Sequence, residues 1–333
     1  MDNQKTSFSH WKAPNDALLP EFIIGGAMKC GTTTLHAMLA KHPKIFIPEE
    51  EIHFFDIDHH IQHADFNFYD KKKDQWTVQL MEQNPEKLWD WYLKKFAGKE
   101  QYVKGEDSTI YLASRIAAER IALQNKEIKL IFLLRHPTKR AYSQYYHMLR
   151  TGRATHTFED TLKYNPVSVL ERSLYRDQLE PYYKHISKER IKIVLFEDFI
   201  QNTAETLKEI CEFIEVDFDA FDPEVFQLHT NQALIPSSFR LQRFFNRIFK
   251  ALGTVQYFDM LPFAPSHIGE QKSFFMKYLK KTLGVLNPHK PGKPPKIKDS
   301  TKNFLDQYFY NQLVGIDELT GEKILSKWFP ERN

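Results

Sequence analysis

One segment near the start of the chain restricts its possible folds more than any other. Residues 22–24 form a short apolar run typical of a buried strand, and a glycine-rich turn follows over residues 25–31. A helix is then predicted to begin at three consecutive threonines, 32–34. Such a junction presents backbone N–H groups and the positive end of a helix dipole to one point. The segment therefore predicts a binding site for a phosphate or sulfate group, with Lys29 as a neighbouring cation.

The spacing of this loop is close to that of a nucleotide-kinase phosphate loop but departs from it. The kinase pattern is Gly-x4-Gly-Lys-Ser/Thr. Gly26 and Gly31 have the matching separation, but Thr32 stands at the lysine position, and Lys29 comes two residues before the second glycine. The hydroxyl that holds Mg²⁺ in kinases has no clear counterpart. The loop therefore favours a nucleotide donor other than ATP, bound without a metal.

A second strand–helix junction supplies further groups for binding an anion. Residues 130–134 form another apolar run that ends at Arg135, and Pro137 marks a helix start because proline favours the first helical position. Ser143 lies eight residues after Arg135, on the predicted helix. Arginine offers a planar pair of donors to phosphate oxygens, so these two side chains can converge on one phosphate. Two anion sites at two strand ends predict a ligand with two separated phosphate groups.

Together these motifs resemble the sulfotransferase family that uses 3′-phosphoadenosine 5′-phosphosulfate (PAPS), in its heparan-sulfate-sulfotransferase-like and bacterial cytosolic branch. The segment from Glu51 to Phe55 matches a Glu-x-His-Phe-Phe element of that branch. Further matches lie at residues 105–108 with Tyr111, at 172–175, and at 196–199, which is expected to be a strand. The resemblance extends from about Phe22 to Trp328.

The resemblance implies PAPS as the donor, adenosine 3′,5′-bisphosphate (PAP) as the product, and no metal. The donor-binding residues that it implies are Lys29, Cys30, Gly31, Thr32, Thr33, Thr34, Arg135, Ser143 and Tyr175, with Lys290 and Lys293 from a late basic loop. On the acceptor side it implies Phe54, Glu106, Asp107 and Tyr111.

The chemistry of sulfuryl transfer agrees with these assignments. The leaving phosphate becomes more anionic, so a cation beside it stabilises the transition state, and the loop positions Lys29 for this role. The acceptor loses a proton as it attacks, which requires a general base. Glu51 and His53 are two residues apart in a segment expected to be extended, so both side chains point to one side. The resemblance assigns the base to Glu51, with His53 as the supporting or alternative base.

The expected fold class is α/β, with three layers: a central parallel sheet flanked by helices around a P-loop-like nucleotide-binding core. Strands are predicted at 22–24, 45–47, 102–104, 130–134 and 191–196, and helices at 33–41, 114–124, 138–150 and 170–186. Ligands then bind at the carboxyl ends of the strands.

The expected organisation is a flexible N-terminal segment, 1–20, and a single sulfotransferase domain, 21–333. Within the domain we expect a helical insertion at 58–98 and an acceptor-side or lid region at 232–296. A helix over 238–250 in that region would present one apolar face, formed by Leu241, Phe244, Phe245, Ile248 and Phe249. A final helix pair is expected over 300–328.

The leading functional prediction is a PAPS-dependent sulfotransferase (EC 2.8.2) that transfers a sulfuryl group in line to a hydroxyl or amine. The alternative is a P-loop kinase or other nucleotide phosphotransferase, which needs a lysine after the glycine loop and an acidic Mg²⁺ ligand at a strand end. Asp107 or Asp198 would have to serve as that ligand. A third hypothesis is a catalytically silent nucleotide-binding module, against which Lys29, Glu51 and His53 argue.

Composition restricts the class of partner and the cellular compartment that we expect. A net charge of +3 without a basic stripe does not indicate nucleic-acid binding, and it argues mildly against a long anionic polysaccharide. The 27 phenylalanines suit an apolar interior or an aromatic acceptor pocket. We therefore expect a small-molecule or natural-product acceptor of secondary metabolism, with a carrier protein as a possible partner. Two distant cysteines and an N-terminal segment without an apolar stretch predict a cytoplasmic protein without a membrane span.

Overall fold

The apolar runs of the sequence form a five-stranded parallel sheet. The structure, a computed structural model, describes residues 10–59, 67–70, 74–78, 85–227, 234–251 and 281–332. The strands in chain order are β1 (Phe22–Gly26), β2 (Ile45–Phe46), β3 (Asn67–Asp70), β4 (Gln75–Val78), β5 (Val103–Asp107), β6 (Lys129–Leu134), β7 (Ile191–Leu195), β8 (Leu234–Pro236) and β9 (His289–Pro291). The main sheet has the order β2-β5-β1-β6-β7.

The position of β1 at the centre of the sheet explains its composition. It pairs in parallel with β5 on one side and β6 on the other, and Phe22 is opposite both Gly105 and Lys129. Every residue of β1 is buried. Strands covered on both faces read as continuous apolar runs rather than alternating ones. The predicted α/β class, a parallel sheet flanked by helices, is confirmed, and the carboxyl ends of all five strands meet at one edge.

Helices connect and cover the strands. They are α1 (Thr32–Leu39), α2 (Pro85–Lys94), α3 (Arg115–Ala122), α4 (Pro137–Arg150), α5 (Phe158–Tyr164), α6 (Val167–Leu170), α7 (Tyr175–His185), α8 (Phe196–Gln201), α9 (Thr203–Ile214), α10 (Phe239–Ala251), α11 (Asp299–Leu313), α12 (Ile316–Thr320) and α13 (Leu325–Trp328). Pro137 begins α4, as predicted. The chain forms two compact units: Met1–His136, Leu174–Thr230 and Phe309–Asn333 form the first, and Pro137–Ser173 and Asn231–Tyr308 form the second.

Three predicted elements differ from the structure. The segment 196–199, expected as a strand, is the first turn of α8, where Glu197 and Asp198 suit a helix start. The helix expected over 170–186 is interrupted by a 3₁₀ turn at Glu171–Ser173 before α7 begins. The final helix pair is three helices, because Gly315 and Gly321 adopt left-handed conformations that end helical segments.

The regions outside the main sheet also differ from expectation. Residues 10–20 are attached to the core rather than loose: Trp11 is buried, with its ring 3.5 Å from the guanidinium of Arg120. The insertion expected to be helical, 58–98, contains the antiparallel hairpin of β3 and β4 as well as α2. Residues 60–66, 71–73 and 79–84 of that insertion lie outside the described residues.

In the second unit, the expected apolar face of α10 is only partly correct. Phe245 and Phe249 are buried, but Phe244 is 56% exposed. The buried side also carries Asn246, whose amide donates to the carbonyls of Leu149 and Ala154. These bonds satisfy the buried amide of Asn246. The inward face of α10 therefore includes Asn246 and does not include Phe244. Residues 232, 233 and 252–280 of the expected lid region lie outside the described residues.

Among the residues that the structure describes, none of the helices combines the length and apolar character needed to span a membrane.

Candidate active site

The glycine-rich loop joins the central strand β1 to α1. Gly26 and Gly31 have φ angles of +148° and +93°, which residues with side chains rarely adopt. A Cβ atom at Gly26 would lie 2.8 Å from the Cβ of Leu112, and one at Gly31 would lie 2.9 Å from a ring carbon of Phe196. Both positions therefore require glycine, and no side chain covers the loop backbone at these two points.

The start of α1 has the geometry of an anion site. Thr34 and Leu35 make the first hydrogen bonds of the helix, donating to the carbonyl of Gly31 at 3.0 and 3.1 Å. The amides of Thr32 and Thr33 precede these bonds, and first-turn amides have no acceptor within their own helix. The dipole of α1 adds positive potential at the same end. The loop thus has the form that the sequence predicted for a phosphate or sulfate group.

Arg135 follows β6 and lies against this loop. Its Nη1 donates to the carbonyl of Lys29 at 3.3 Å, and its guanidinium stacks 4.7 Å from the ring centre of Phe196. Its Nε is buried without a hydrogen-bond partner among the described residues. An unmade hydrogen bond at a buried donor is costly, so a ligand oxygen at this atom would be stabilising.

Tyr175 ties Arg135 to the loop. Its hydroxyl donates to the carbonyl of Arg135 at 2.9 Å and lies 3.7 Å from the Sγ of Cys30. Tyr175 and Cys30 are both fully buried. Four of the residues expected to bind the donor, from three separate parts of the sequence, therefore lie together at the end of the sheet: Lys29, Cys30, Arg135 and Tyr175.

Glu51 and His53 form a hydrogen-bonded pair after β2. The Nε2 of His53 lies 3.1 Å from the Oε2 of Glu51, and the side chains are 4% and 31% exposed, respectively. A ligand can therefore reach Glu51 more readily than His53. The expected extended segment is not what brings them together: His53 has a left-handed φ of +52°. Histidine is among the residues enriched in this region, and the turn directs its ring back to Glu51.

The pair shifts the pKa values of both groups. Burial raises the pKa of Glu51, but the hydrogen bonds from His53 and Thr109 outweigh it, and the net shift is downward. Burial lowers the pKa of His53, but the hydrogen bond and the charge of Glu51 outweigh it, and the net shift is upward. Each residue stabilises the charged form of the other. The pairing therefore favours an anionic Glu51 beside a cationic His53.

Thr109 connects this pair to the glycine loop. Its hydroxyl donates to the Oε2 of Glu51 at 2.8 Å. Its carbonyl oxygen would lie 3.1 Å from a Cβ atom at Gly26, so it borders the loop directly. The amide of the preceding residue, Ser108, donates to the carbonyl of Ile24 in β1 at 3.0 Å. The hydroxyl and the carbonyl of Thr109 thus link the carboxylate of Glu51 to the loop that would hold the donor.

His36 is a site residue that sequence reasoning missed. It lies one turn into α1, and its Nδ1 is 3.1 Å from the Oδ2 of Asp107 at the end of β5. Burial raises the pKa of Asp107 to about 6; His36 opposes this rise, and the charge of Glu51 adds to it. A histidine one turn after the loop threonines was the available signal. Asp107 alone could not reveal its partner, which is 71 residues away.

Three residues expected to contact the acceptor are instead fully buried. Phe54, Glu106 and Tyr111 have no exposed surface. Phe54 stacks on the ring of Tyr92 at a centroid distance of 4.1 Å. Both carboxylate oxygens of Glu106 accept hydrogen bonds from neighbouring hydroxyls. We therefore assign these residues to the support of the site. Asp107, the fourth expected acceptor residue, is 3% exposed.

The remaining expected donor residues lie in the second unit. Ser143 is half-buried on α4. Lys290 is exposed in β9, and Lys293 is exposed in the segment that follows. Their part in donor binding stays a prediction.

Comparisons with known proteins agree with this geometry. A model of the sulfotransferase family matches residues 20–220. The chain is 31% identical over 188 residues to heparan sulfate glucosamine 3-O-sulfotransferase 5 of Mus musculus, an alignment that covers 53% of this chain and 47% of that protein. It is 34% identical over 135 residues to the membrane-associated sulfotransferase kil1 of Dictyostelium discoideum, covering 38% and 23%. The chain spans about half the length of the first of these relatives and less of the second.

A solved structure shows the same fold. The crystal structure of a sulfotransferase from Alicyclobacillus acidocaldarius matches 93% of this chain and 98% of its own, with a TM-score of 0.58 at 22% identity. The family model alone covers more than half of the 333 residues, from ahead of the glycine loop to beyond β7. This protein is a member of the sulfotransferase family.

Proposed function

We propose that the protein transfers a sulfuryl group from PAPS to a hydroxyl or amine of an acceptor. One observation carries this proposal: the carboxylate of Glu51 is held by His53 and by the hydroxyl of Thr109, whose carbonyl oxygen borders the glycine loop at the carboxyl edge of the sheet. A base beside a phosphate-binding loop is the arrangement that sulfuryl transfer to a protonated nucleophile requires.

The described residues fit a donor with two separated phosphate groups. The loop from Gly25 to Thr34 would hold the 5′-phosphosulfate, and Lys29 would lie beside it. Arg135, whose buried Nε has no partner among the described residues, would hold the 3′-phosphate together with Ser143. Tyr175 would support Arg135, and the resemblance adds Lys290 and Lys293 as further cations for the donor. We propose that no metal takes part, because Thr32 stands at the kinase lysine position.

Each step of the reaction then has a residue to serve it. PAPS, when bound, would supply an activated sulfuryl group. Glu51 accepts the proton that the acceptor oxygen or nitrogen loses as its bond to sulfur forms, and His53 stabilises and orients Glu51. Lys29 stabilises the negative charge that the 5′-phosphate gains as its bond to sulfur breaks. Bond formation and bond cleavage are in line, so the base and the leaving phosphate lie on opposite sides of the sulfur.

We propose a small-molecule or natural-product acceptor, which a carrier protein can present. The curated relative from mouse is named for heparan sulfate, but the net charge of this chain is only +3, which gives little attraction to a long polyanion. We also propose that the protein acts in the cytoplasm. Cys30 and Cys211 do not form a disulfide, as is usual where thiols are kept reduced.

The decisive experiment is a calorimetric titration with PAP in EDTA, beside AMP and ADP. We expect tight binding of PAP and weak binding of the other two. Arg135→Ala should weaken PAP by roughly 10- to 100-fold, since a charge-assisted hydrogen bond contributes about 1.5–3 kcal/mol. It should leave AMP, which lacks the 3′-phosphate, nearly unchanged.

Arg176→Ala is the matched control, because Arg176 is a half-exposed arginine of the same unit that pairs with Asp177. It should leave both affinities unchanged. Failure of PAP to bind, or binding of ADP alone once Mg²⁺ is restored, would overturn the proposal and favour a kinase. A positive result would be followed by an acceptor screen with PAPS.

A further inference from the structure

A fully buried carboxylate, Glu106, plays no part in the proposed reaction. It lies in β5 opposite Ile23 of the central strand and has no exposed surface. Its Oε1 accepts from the hydroxyls of Ser108 at 2.7 Å and Tyr111 at 2.6 Å, and its Oε2 accepts from the hydroxyl of Tyr92 at 2.6 Å. Three hydroxyl protons are thus directed at one buried group.

Two of these hydroxyls, those of Ser108 and Tyr111, also accept hydrogen bonds from the segment that contains the proposed base, and we call these two connections the relays. The amide of His53 donates to the Oγ of Ser108 at 2.8 Å, and the amide of Phe55 donates to the hydroxyl oxygen of Tyr111 at 2.9 Å. A hydroxyl has one proton, and Ser108 and Tyr111 each use it to donate a hydrogen bond to Glu106. The lone pairs of the hydroxyl oxygens therefore remain free to accept hydrogen bonds from the two backbone amides. The third hydroxyl, of Tyr92, belongs to a helix outside this segment.

This arrangement explains why a carboxylate is kept in the core. Burying a charged group is expensive, and an apolar residue of similar size is often no less stable. Burial raises the pKa of Glu106, and the three hydroxyl donors oppose that rise, because hydrogen bonds to a charged group are roughly twice as strong as neutral ones. The two relays fix the backbone at positions 53 and 55, on either side of Phe54, and so hold His53 in its left-handed conformation facing Glu51.

We propose that Glu106 is a positioning residue that acts through Ser108 and Tyr111 to hold His53 against Glu51. The inference rests on the proposed function only for its effect on turnover. Its structural content, the control of the Glu51–His53 pair by a buried carboxylate, can be tested without any reaction.

The test removes one hydroxyl at a time. Ser108→Ala and Tyr111→Phe each break one relay. Tyr92→Phe is the matched control, because it removes a hydroxyl that donates to the same carboxylate but makes no hydrogen bond to the base segment, and it keeps the ring that stacks on Phe54. The primary readout is the titration of the His53 imidazole followed by NMR. Loosening the pair should move the midpoint for His53 down towards the ordinary value in Ser108→Ala and Tyr111→Phe, and leave it unchanged in Tyr92→Phe.

Steady-state turnover is the second readout, once an acceptor has been identified. We expect kcat to fall about tenfold or more in Ser108→Ala and Tyr111→Phe with the KM for PAPS within about twofold, because small displacements of a base are costly. Tyr92→Phe should stay within about twofold in both constants. Should Tyr111→Phe fail to fold, Ser108→Ala, which removes a single oxygen atom, carries the test.

The outcomes separate the two proposals. Equal effects of Tyr92→Phe and the relay variants on His53, or no effect of the relay variants, would overturn the positioning role. A shifted His53 in a protein that binds no PAP would leave the positioning role standing and overturn the proposed function.

Discussion

At the scale of single residues, a substitution at Glu51 tests whether catalysis can be removed while donor binding is kept, as the proposed role of Glu51 as the base requires. We expect Glu51→Gln to bind PAP normally and to lose about 10²- to 10⁴-fold in kcat, the usual contribution of a general base. Glu50→Gln is the matched control: Glu50 is its sequence neighbour, is 58% exposed and pairs with Lys95. Turnover by Glu51→Gln at the wild-type rate would exclude Glu51 as the base and leave His53 as the candidate.

The pH dependence of kcat/KM distinguishes the two bases independently. The pKa of Glu51 is lowered from 4.5, so if Glu51 is the base, activity is kept at neutral pH and is lost only as the pH falls below about 4.5. The pKa of His53 is raised from 6.5, so if His53 is the base, activity appears only as the pH rises above about 6.5. We expect the first profile. Affinity for PAP measured over the same range shows whether donor binding contributes to either limb.

At the scale of elements, the loop between β1 and α1 depends on glycine for two distinct reasons. Gly26→Ala meets both a forbidden φ and a contact of 2.8 Å with Leu112, whereas Gly98→Ala meets a positive φ of +75° in open space. We expect about 1 kcal/mol of destabilisation at Gly98 and at least about 2 kcal/mol more at Gly26, with loss of PAP binding only at Gly26. Denaturant unfolding and calorimetry on both variants measure this. Equal costs at the two positions would contradict the close packing of the loop.

The elements that could be predicted from sequence are those whose signals are local. The apolar runs, the glycines at 26 and 31, and Pro137 each act within a few residues of their own position. The location of the ligand site at the carboxyl edge of the sheet could be predicted once the sheet was expected to be parallel. A parallel sheet is in turn predicted by apolar runs that alternate with helical patterns. The sequence also predicted that the side chains of Glu51 and His53 lie close together, although it did not predict the backbone conformation that brings them together.

What sequence reasoning missed depends on contacts between distant residues. The left-handed turn at His53 depends on Ser108, which lies 55 residues away, and the partner of Asp107 lies on another element. Glu106 was expected on the acceptor side because the segment 105–108 resembles the family pattern. Only the three-dimensional structure shows that three hydroxyls surround it. The helix at 196–199 was mistaken for a strand because the apolar run of β7 continues into it.

At the scale of the whole molecule, Asp107 links the site to stability. Burial raises the pKa of Asp107 to about 6 from 3.8, so its contribution to folding is fully present below about pH 4 and is lost as the pH rises through about 6. Asp107→Asn lacks this dependence. Between about pH 4 and about pH 7 we expect the free energy of unfolding of the variant to gain on the order of 2 kcal/mol relative to wild type.

Chemical denaturation across that range measures the difference. Asp177→Asn, at a carboxylate that is 60% exposed, is the control and should track the wild type. A difference between Asp107→Asn and wild type that does not change with pH would show that Asp107 titrates normally.

The hydrogen bonds of Glu197 in the first unit join parts of the chain that are synthesised at very different times. Glu197, after β7, accepts from the amide of His136 with one oxygen and from the indole of Trp328 with the other. The stretch that carries Trp328 begins at Phe309, long after the strands have been synthesised. At about 5–20 residues per second, Trp328 is added roughly 7 to 26 seconds after Glu197, by which time β6 and β7 have both been synthesised. A nascent chain therefore waits on the ribosome with the ends of β6 and β7 unbraced, and this is the interval in which a chaperone has most to protect.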